Sequence, residues 1–266
     1  MITSKSNQKL KKIRALMDSP KERKQSSLFV VEGSRLVEEV PAELMEEVYV
    51  SASFEKNGVE CIPCEVGYEV VSDEAFRSLS DTVNPQGILA VVRMPSSGME
   101  KVLGADLYVL LDDIRDPGNL GTIVRTAEAA GARVILSPNC VDIYNPKVVR
   151  STMGTIFRVP FAFCGMIDAI NMLHDEGATV CAAVLDGSIP YTELDAEGAV
   201  AFIIGNEANG VSAAAAEAAD IRVRIPMKGM VESLNAAVSA AILMYSRQGR
   251  GEDNGQSEDT VRGKLL

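Results

Sequence analysis

Three polar segments of this 266-residue chain each follow a run of apolar residues, and their side chains could hold a polar ligand. The first segment carries Asn119 and Arg125, the second carries Glu207, and the third carries Ser233 and Asn235. An arginine presents a planar fork of donors that binds phosphate or other oxygens. Glycines and asparagines around the glutamate allow a ligand to approach the backbone closely. The segments therefore predict a cradle for a folded, polar cofactor with an arginine nearby.

Regular alternation of apolar runs and helical stretches positions these segments. The predicted strands span 107–111, 133–136, 179–184, 200–204 and 221–225, and the predicted helices span 120–130, 146–153, 166–176, 212–219 and 234–247. Such alternation predicts an α/β fold with a parallel sheet covered by helices on both faces. Ligands of such sheets bind beyond the carboxyl ends of the strands. We expect Asn119 and Ser233 to cap their helices at the N-terminus and Gly131 to follow the C-terminus of the helix at 120–130.

The first third of the chain mixes shorter elements and predicts a small α/β domain. A helix over 4–17 buries Leu10, Ile13, Leu16 and Met17, and strands are expected at 28–31, 48–50 and 87–92, with a helical stretch after Gly33. The expected boundaries are a first domain at 1–94, a turn-rich linker at 95–104, a second domain at 105–249 and a mobile tail at 250–266.

Charge is distributed unevenly. The formal net charge is −11, yet residues 1–35 contain nine basic and three acidic side chains, a net of +6 that leaves −17 for the remainder. The acidic total argues against non-specific binding of nucleic acid over the whole surface. On charge alone, the basic N-terminal segment is more typical of a solvated lysine-rich helix than of a nucleic-acid contact.

Several other kinds of site are disfavoured. The segment after residue 204 lacks the G-x-G-x-x-G pattern and the acidic residue of a dinucleotide site. Cys61 and Cys64 form a C-x-x-C pair without a second pair or a nearby histidine, so we expect no metal and interpret them as small apolar residues on a short strand. The single histidine, His174, is expected at the surface. With no long apolar segment and no secretory signal, the sequence predicts a cytoplasmic protein without a membrane contact.

The three segments together resemble the three motifs of the SpoU/TrmH family of RNA 2'-O-ribose methyltransferases, within the SPOUT superfamily. The matching stretches are Asp116-Pro-Gly-Asn-Leu-Gly-Thr-Ile-Val-Arg125, Ile204-Gly-Asn-Glu207 and Ile225-Pro-Met227 with Ser233-Leu-Asn235, in the family's order and separation. The first third is similar, less specifically, to an RNA-binding domain of ribosomal-protein L30e type. Two departures from the pattern are Ala208, where glycine is common, and Ala236-Ala237 after Asn235.

The resemblance implies a trefoil knot in the second domain and S-adenosylmethionine as the cofactor, bent and held largely by backbone groups. The residues that would contact it are Leu185, Gly205, Ile225, Met227 and Leu234. Arg125 would carry the base-like role, with Asn119, Glu207, Ser233 and Asn235 orienting it and the ribose. Because arginine is normally always protonated, two roles stay open: a base with lowered proton affinity, or a cation that positions and stabilises the developing alkoxide.

The resemblance also implies a homodimer and an RNA substrate, with ribosomal RNA favoured over transfer RNA. The candidate RNA contacts are Lys9, Lys11, Lys12, Arg23, Lys24, Arg35 and Arg150. For Arg150, a salt bridge and an RNA contact are equally expected. Two other functions remain to be distinguished: a non-catalytic RNA-binding or ribosome-assembly protein that keeps the fold, and a methyltransferase acting on a base nitrogen.

Overall fold

The computed structural model describes residues 1–80, 82 and 84–248, so the tail predicted at 250–266 lies outside the described residues. The helices are α1 Gln8–Asp18, α2 Pro20–Ser26, α3 Ser34–Glu38, α4 Ala52–Lys56, α5 Asp73–Arg77, α6 Met99–Val102, α7 Pro117–Ala129, α8 Pro146–Thr152, α9 Met166–Asp175, α10 Ala213–Ala218 and α11 Ala236–Tyr245. The strands are β1 Leu28–Glu32, β2 Met45–Ser51, β3 Tyr68–Val71, β4 Ile88–Arg93, β5 Leu107–Asp112, β6 Arg133–Leu136, β7 Phe161–Phe163, β8 Thr179–Ala183, β9 Ile189–Pro190, β10 Val200–Gly205 and β11 Ile221–Arg224.

The larger sheet runs in the order β7-β6-β5-β10-β8-β11-β9, and its strand pairs are all parallel over the described residues. The predicted parallel sheet is therefore confirmed. The pairing of β10 with β5 ends with Gly205 opposite Asp112, so the loops after these two strands leave the sheet side by side. The trefoil knot stays a prediction.

Helices cover both faces of the larger sheet because alternate residues of its strands are apolar on both sides. One face packs on the buried residues of α7, α8 and α11. The opposite face packs on α6, α9 and α10, where Leu110 and Ile203 meet Ile170 and Leu173 in one cluster. This arrangement fixes the starts of α7 and α11 at the edge from which β5, β10 and β11 emerge.

The smaller sheet has the order β1-β4-β2-β3, with β4 antiparallel to both neighbours and β2 parallel to β3. One face is covered by α1 and α5. The other face, which includes Phe29 and Val31, joins the same apolar core as α7 and α8. The segment predicted as a linker contains α6, whose Val102 is fully buried. The domain boundaries themselves stay predictions.

Candidate active site

Helix α7, which follows the first site loop, begins earlier in the sequence than expected. Asp116, and not Asn119, is the N-cap: its Oδ1 accepts from the Asn119 backbone N–H over 2.8 Å, and Pro117 occupies the first helical position. The prediction that Asn119 caps the helix was therefore wrong, whereas Gly131 follows the helix end with a φ of +68°, as expected. Because Asp116 satisfies the backbone at this end, the side-chain amide of Asn119 is available for contacts with other loops.

The second loop folds back on the end of β10. Asn206 and Gly210 pair through two backbone hydrogen bonds, of 3.0 and 2.8 Å. The Asn206 amide donates to the backbone oxygen of Asp113 over 2.7 Å, while its Oδ1 accepts from the N–H of Ala208 over 2.8 Å. A Cβ at Gly205 would lie 2.0 Å from the carbonyl carbon of Gly210. Glycine is therefore required here by the close return of the chain's own loop.

The third loop ends at Asn235, which caps α11. Its Oδ1 accepts from the backbone N–H groups of Ala237 and Val238 over 2.9 and 3.3 Å. The prediction that Ser233 caps this helix was wrong, because the helix begins at Ala236. Ser233 is exposed, and its hydroxyl makes no hydrogen bond with the residues that the structure describes.

Asn119 connects the three loops. Its Nδ2 donates to Oε1 of Glu207 over 2.7 Å, and its Oδ1 accepts from Nδ2 of Asn235 over 2.8 Å. The directions of these bonds follow from chemistry, because an ionised carboxylate only accepts and the N–H groups at the start of α11 only donate. The amide of Asn119 must turn its nitrogen to Glu207, and the amide of Asn235 must turn its oxygen to the helix. We call this chain of hydrogen bonds the Glu207–Asn119–Asn235 relay.

The relay favours the ionised form of the Glu207 carboxyl group. Partial burial raises the pKa of its carboxyl, but hydrogen bonds from Asn119 and from nearby backbone N–H groups outweigh that effect and lower the pKa below its ordinary value of 4.5. The carboxylate is therefore ionised near neutral pH. It provides a fixed negative charge and an acceptor at the edge where the three loops meet.

Arg125 lies apart from the relay. It is exposed on α7, six residues after Asn119 and so about 9 Å further along the helix axis. Its guanidinium has no hydrogen-bond or ion-pair partner within residues 1–80, 82 and 84–248. Of the five predicted catalytic residues, the structure thus brings together Asn119, Glu207 and Asn235 and leaves Arg125 and Ser233 open to solvent.

The residues predicted for the cofactor lie on loops that follow three adjacent strands, β10, β8 and β11. Gly205 ends β10, Leu185 follows β8, and Ile225, Met227 and Leu234 lie between β11 and α11. Leu185 is 58% exposed, and Met230 and Val231 on the neighbouring loop are 102% and 62% exposed. Exposed apolar side chains beside backbone donors fit a ligand with apolar and polar parts. A cavity of about 910 Å³ at the opposite edge, near Gly104 and Gly131, contacts none of these residues.

The predicted RNA contacts differ in their availability. Lys11, Lys24 and Arg35 are exposed, and their side chains have no ion-pair partner among the described residues. Lys9 pairs with Glu69, and Lys12 pairs with Glu47 over 3.1 Å. Arg150 faces Glu32 with 3.8 Å between Nη1 and Oε2. The expectation for Arg23 needs correction, because its side chain is only 1% exposed and is bound to Asp142 and to backbone oxygens.

Other sequence expectations concern metals, cysteines and the histidine. The described residues contain no group of three or more potential metal ligands, and none of their helices is long and apolar enough to cross a bilayer. Cys61 and Cys64 are free thiols in a turn-rich stretch, so the predicted short strand is wrong. His174 is exposed as expected and pairs with Asp220 over 3.0 Å.

Sequence reasoning missed Asp113 and Asn206, which hold the second loop against the first. Asp113 has a left-handed φ of +60°, uncommon for a residue with a side chain. Its carboxylate accepts from Ser137 Oγ over 2.7 Å. The Asp116-Pro117 pair could have revealed the true helix start, since proline favours the first helical position. No local signal reveals the bond between Asn206 and Asp113.

Comparisons with known proteins bear on the same residues. A family model described as the SpoU rRNA Methylase family matches residues 106–245, and the Bacillus subtilis 23S rRNA (guanosine(2553)-2'-O)-methyltransferase RlmP is 37% identical over 93% of this chain and 99% of its own. The chain belongs to the SpoU family. A second model, the MRM3-like substrate binding domain, matches residues 7–90. The larger sheet and the relay lie within the SpoU match.

Solved SpoU-type structures share this fold over most of the chain. An rRNA methyltransferase from Sinorhizobium meliloti is 31% identical, with a TM-score of 0.81 over 92% of this chain and 95% of its own. The SpoU methyltransferase AviRb from Streptomyces viridochromogenes, solved in complex with AdoMet, is 25% identical, with a TM-score of 0.80 over 90% of this chain and 96% of its own.

Proposed function

We propose that this chain transfers the methyl group of S-adenosylmethionine to a ribose 2'-hydroxyl of RNA, with ribosomal RNA as the substrate. The observation that carries this proposal is the Glu207–Asn119–Asn235 relay, which joins the three SpoU loops at the carboxyl edge of the parallel sheet. A module that only binds RNA has no need for an oriented carboxylate–amide chain at this edge. The relatives named above act on RNA or carry AdoMet, and the chain matches them over most of its length.

The residues at this edge have separable tasks. When bound, the cofactor supplies an electrophilic methyl group on a sulfonium. The backbone around Gly205, Ile225 and Leu234 would hold it, and the exposed side chain of Leu185 would cover its apolar part. The relay keeps Glu207 and Asn235 fixed, so that the polar loops do not reorganise when the ribose arrives. Most of the rate acceleration would come from alignment of the hydroxyl with the methyl group.

Arg125 would act on the RNA and not on the relay. Its exposed guanidinium, which has no partner in the part of the chain that the structure describes, is suited to hold a phosphate or the ribose oxygen that becomes negative as its proton passes to water. Arginine is normally always protonated, so we assign it positioning and charge stabilisation. The exposed cations Lys11, Lys24 and Arg35 of the first third would add contacts to phosphates.

We also propose that the active form is a homodimer that works in the cytoplasm, where its RNA substrate is found. Helix α11 is apolar on most sides: Leu243 and Met244 are buried in its own core, whereas Val238 is 46% and Tyr245 50% exposed. Val238 and Tyr245 are seven residues apart and therefore share one face. A second copy of the chain would cover this face. Sedimentation velocity should show a dimer for the wild type and a monomer for Val238→Glu; a wild-type monomer contradicts the proposal.

The test of the proposed function is methyl transfer from labelled S-adenosylmethionine to bulk RNA, with the wild type and Arg125→Ala compared. We expect transfer by the wild type and a loss of about 100-fold or more in the variant, while calorimetry shows equal cofactor binding by both. If the wild type binds RNA but neither transfers a methyl group nor binds the cofactor, the chain is a non-catalytic RNA-binding protein and the proposal fails.

A further inference from the structure

Arg23 makes a buried contact between the first and second parts of the chain. Its Nη1 donates to the backbone oxygens of Leu16 and Met17 over 2.6 and 2.9 Å, near the end of α1. Its Nε donates to Oδ2 of Asp142 over 2.7 Å, and Nη2 lies 2.7 Å from the same oxygen. All three guanidinium nitrogens are therefore engaged. Asp142 is itself held, because its Oδ1 accepts from the Tyr144 backbone N–H over 3.0 Å.

The smaller sheet also contacts residues 142–158, which we call the docking segment, at several further points. Phe29 of β1 packs its ring 5.0 Å from that of Tyr144 and 6.0 Å from that of Phe157, centroid to centroid. These rings lie in the apolar core shared by the two sheets. The smaller sheet is thus fixed to the docking segment by packing as well as by charge.

Two more ion pairs join the same surfaces. Glu32 at the end of β1 faces Arg150, and Glu39 pairs with Arg158, which also binds Glu128 of α7 over 2.9 Å. A Cβ at Gly154 would lie 2.6 Å from the Cβ of Glu39, so this approach is closer than any other residue type at 154 permits. Helix α8 lies within the docking segment and packs on α7, which carries Asn119 and Arg125. The docking segment therefore connects the smaller sheet to a helix of the proposed active site.

We propose that Arg23 and Asp142 are positioning residues that hold the basic N-terminal surface at a fixed angle to the active site of the same chain. The inference rests on the proposed RNA methyltransferase function. Arg23 then acts indirectly, by binding Asp142, and contacts no phosphate of the RNA. The adjacent Lys24 is exposed and remains available for direct contact with the RNA. Loss of the pair should leave RNA bound but poorly presented to the cofactor.

The sign of the effect at Asp142 separates positioning from simple electrostatics. Asp142→Ala removes a negative charge, which by itself strengthens attraction for RNA. The positioning role predicts the opposite for catalysis: kcat at saturating RNA falls by about 10- to 100-fold, while RNA binding is not weakened and the dissociation constant of the cofactor is unchanged. Asp142→Asn, which retains the acceptor oxygen, should fall between Asp142→Ala and the wild type. Asp18→Ala is the matched control, because Asp18 is exposed at the end of α1 without a partner among the described residues.

Arg23 and Lys24 should differ in the salt dependence of RNA binding. Lys24→Ala should weaken binding and flatten the plot of log affinity against log salt by about 0.7–0.9, the value of one phosphate contact. Arg23→Ala should keep the wild-type slope and lose kcat as Asp142→Ala does. A flatter slope for Arg23→Ala would overturn the inference, because it would mean that Arg23 contacts RNA directly.

A second readout does not depend on catalysis. Hydrogen exchange of the intact chain should accelerate in α1, α2 and the docking segment of Asp142→Asn, and stay unchanged in residues 205–212. Wild-type kcat in both Asp142 variants, together with wild-type exchange, overturns the inference. A wild type that transfers no methyl group contradicts the proposed function instead, and the exchange measurement then decides on the docking role alone.

Discussion

Asn235 donates a hydrogen bond from Nδ2 to Oδ1 of Asn119 over 2.8 Å, although the two residues are 116 positions apart in the chain. The bond links the last residue of the third site loop to a side chain in the first turn of α7. With Glu207 on the other side of Asn119, it makes the orientation of each amide depend on its neighbours. A change at one member should therefore be felt at the others.

Reversal of the hydrogen-bonding character of Asn119 should disable the relay. Asn119→Asp places a carboxylate oxygen against Oε1 of Glu207, and two like charges at this distance raise the pKa of one of them. We expect methyl transfer to fall by about 100-fold or more. Asn209→Asp makes the same charge change at an exposed side chain of the second site loop that lies outside the relay, and it should keep activity. Equal losses in the two variants would show that the effect is general electrostatics.

The pairwise coupling of Asn119 and Asn235 can be measured directly. In a double-mutant cycle with Asn119→Ala and Asn235→Ala, the free energies of unfolding should be non-additive by about 0.5–3 kcal/mol, because the residues are in contact. Chemical denaturation of the four proteins gives the coupling. Additive losses would contradict the relay.

The protonation of Glu207 should make stability depend on pH in a narrow acidic window. Its pKa is lowered in the folded chain, so the unfolded state binds more protons below the ordinary value of 4.5. The stabilisation is complete above that value and is lost as pH falls through the lower, folded pKa. The difference in melting temperature between the wild type and Glu207→Gln should be constant at pH 6–8 and should change in the direction of wild-type destabilisation below 4.5. A difference that is flat to pH 3 would contradict this assignment.

The return of the second loop onto β10 should depend on the absence of a side chain at residue 205. Gly205→Ala places a Cβ 2.0 Å from the carbonyl carbon of Gly210 and 2.1 Å from the nitrogen of Val211, so the loop must move. We expect a loss of about 1–3 kcal/mol in stability and weaker cofactor binding by calorimetry. Gly229→Ala is the control, because a Cβ there meets nothing within 4 Å. Equal cofactor binding by Gly205→Ala and the wild type would remove Gly205 from the cofactor site.

Much of the larger sheet could be predicted from sequence because its strands are long apolar runs. The strand at Arg133–Leu136 has the predicted bounds, and the pattern placed the other four predicted strands within a residue or so. The three-residue β7 and the two-residue β9 were not predicted, because such short edge strands owe their form to neighbours and not to periodicity. Helix starts were misplaced where two capping residues stood close together, as with Asp116 and Asn119.

Only some of the residues of the candidate site could be predicted from the sequence. Motif positions grouped Asn119, Glu207 and Asn235, and the structure brings these three side chains together. Their hydrogen bonds are tertiary and have no local signal in the sequence. Arg23 was predicted as an RNA contact because it lies in a basic segment. Its burial could not be predicted from the sequence, because its partner Asp142 is 119 positions away. Likewise, only the three-dimensional structure shows that Arg125 is exposed and lies apart from the relay.

The position of the methyl group in the product tests directly whether this chain methylates a ribose 2'-hydroxyl. RNA methylated by the purified chain with labelled S-adenosylmethionine is digested to nucleosides, and the label is located by chromatography and mass spectrometry. We expect label on the ribose as a 2'-O-methylnucleoside, and its loss with Arg125→Ala. Label on a base nitrogen or carbon, with ribose unlabelled, would contradict it.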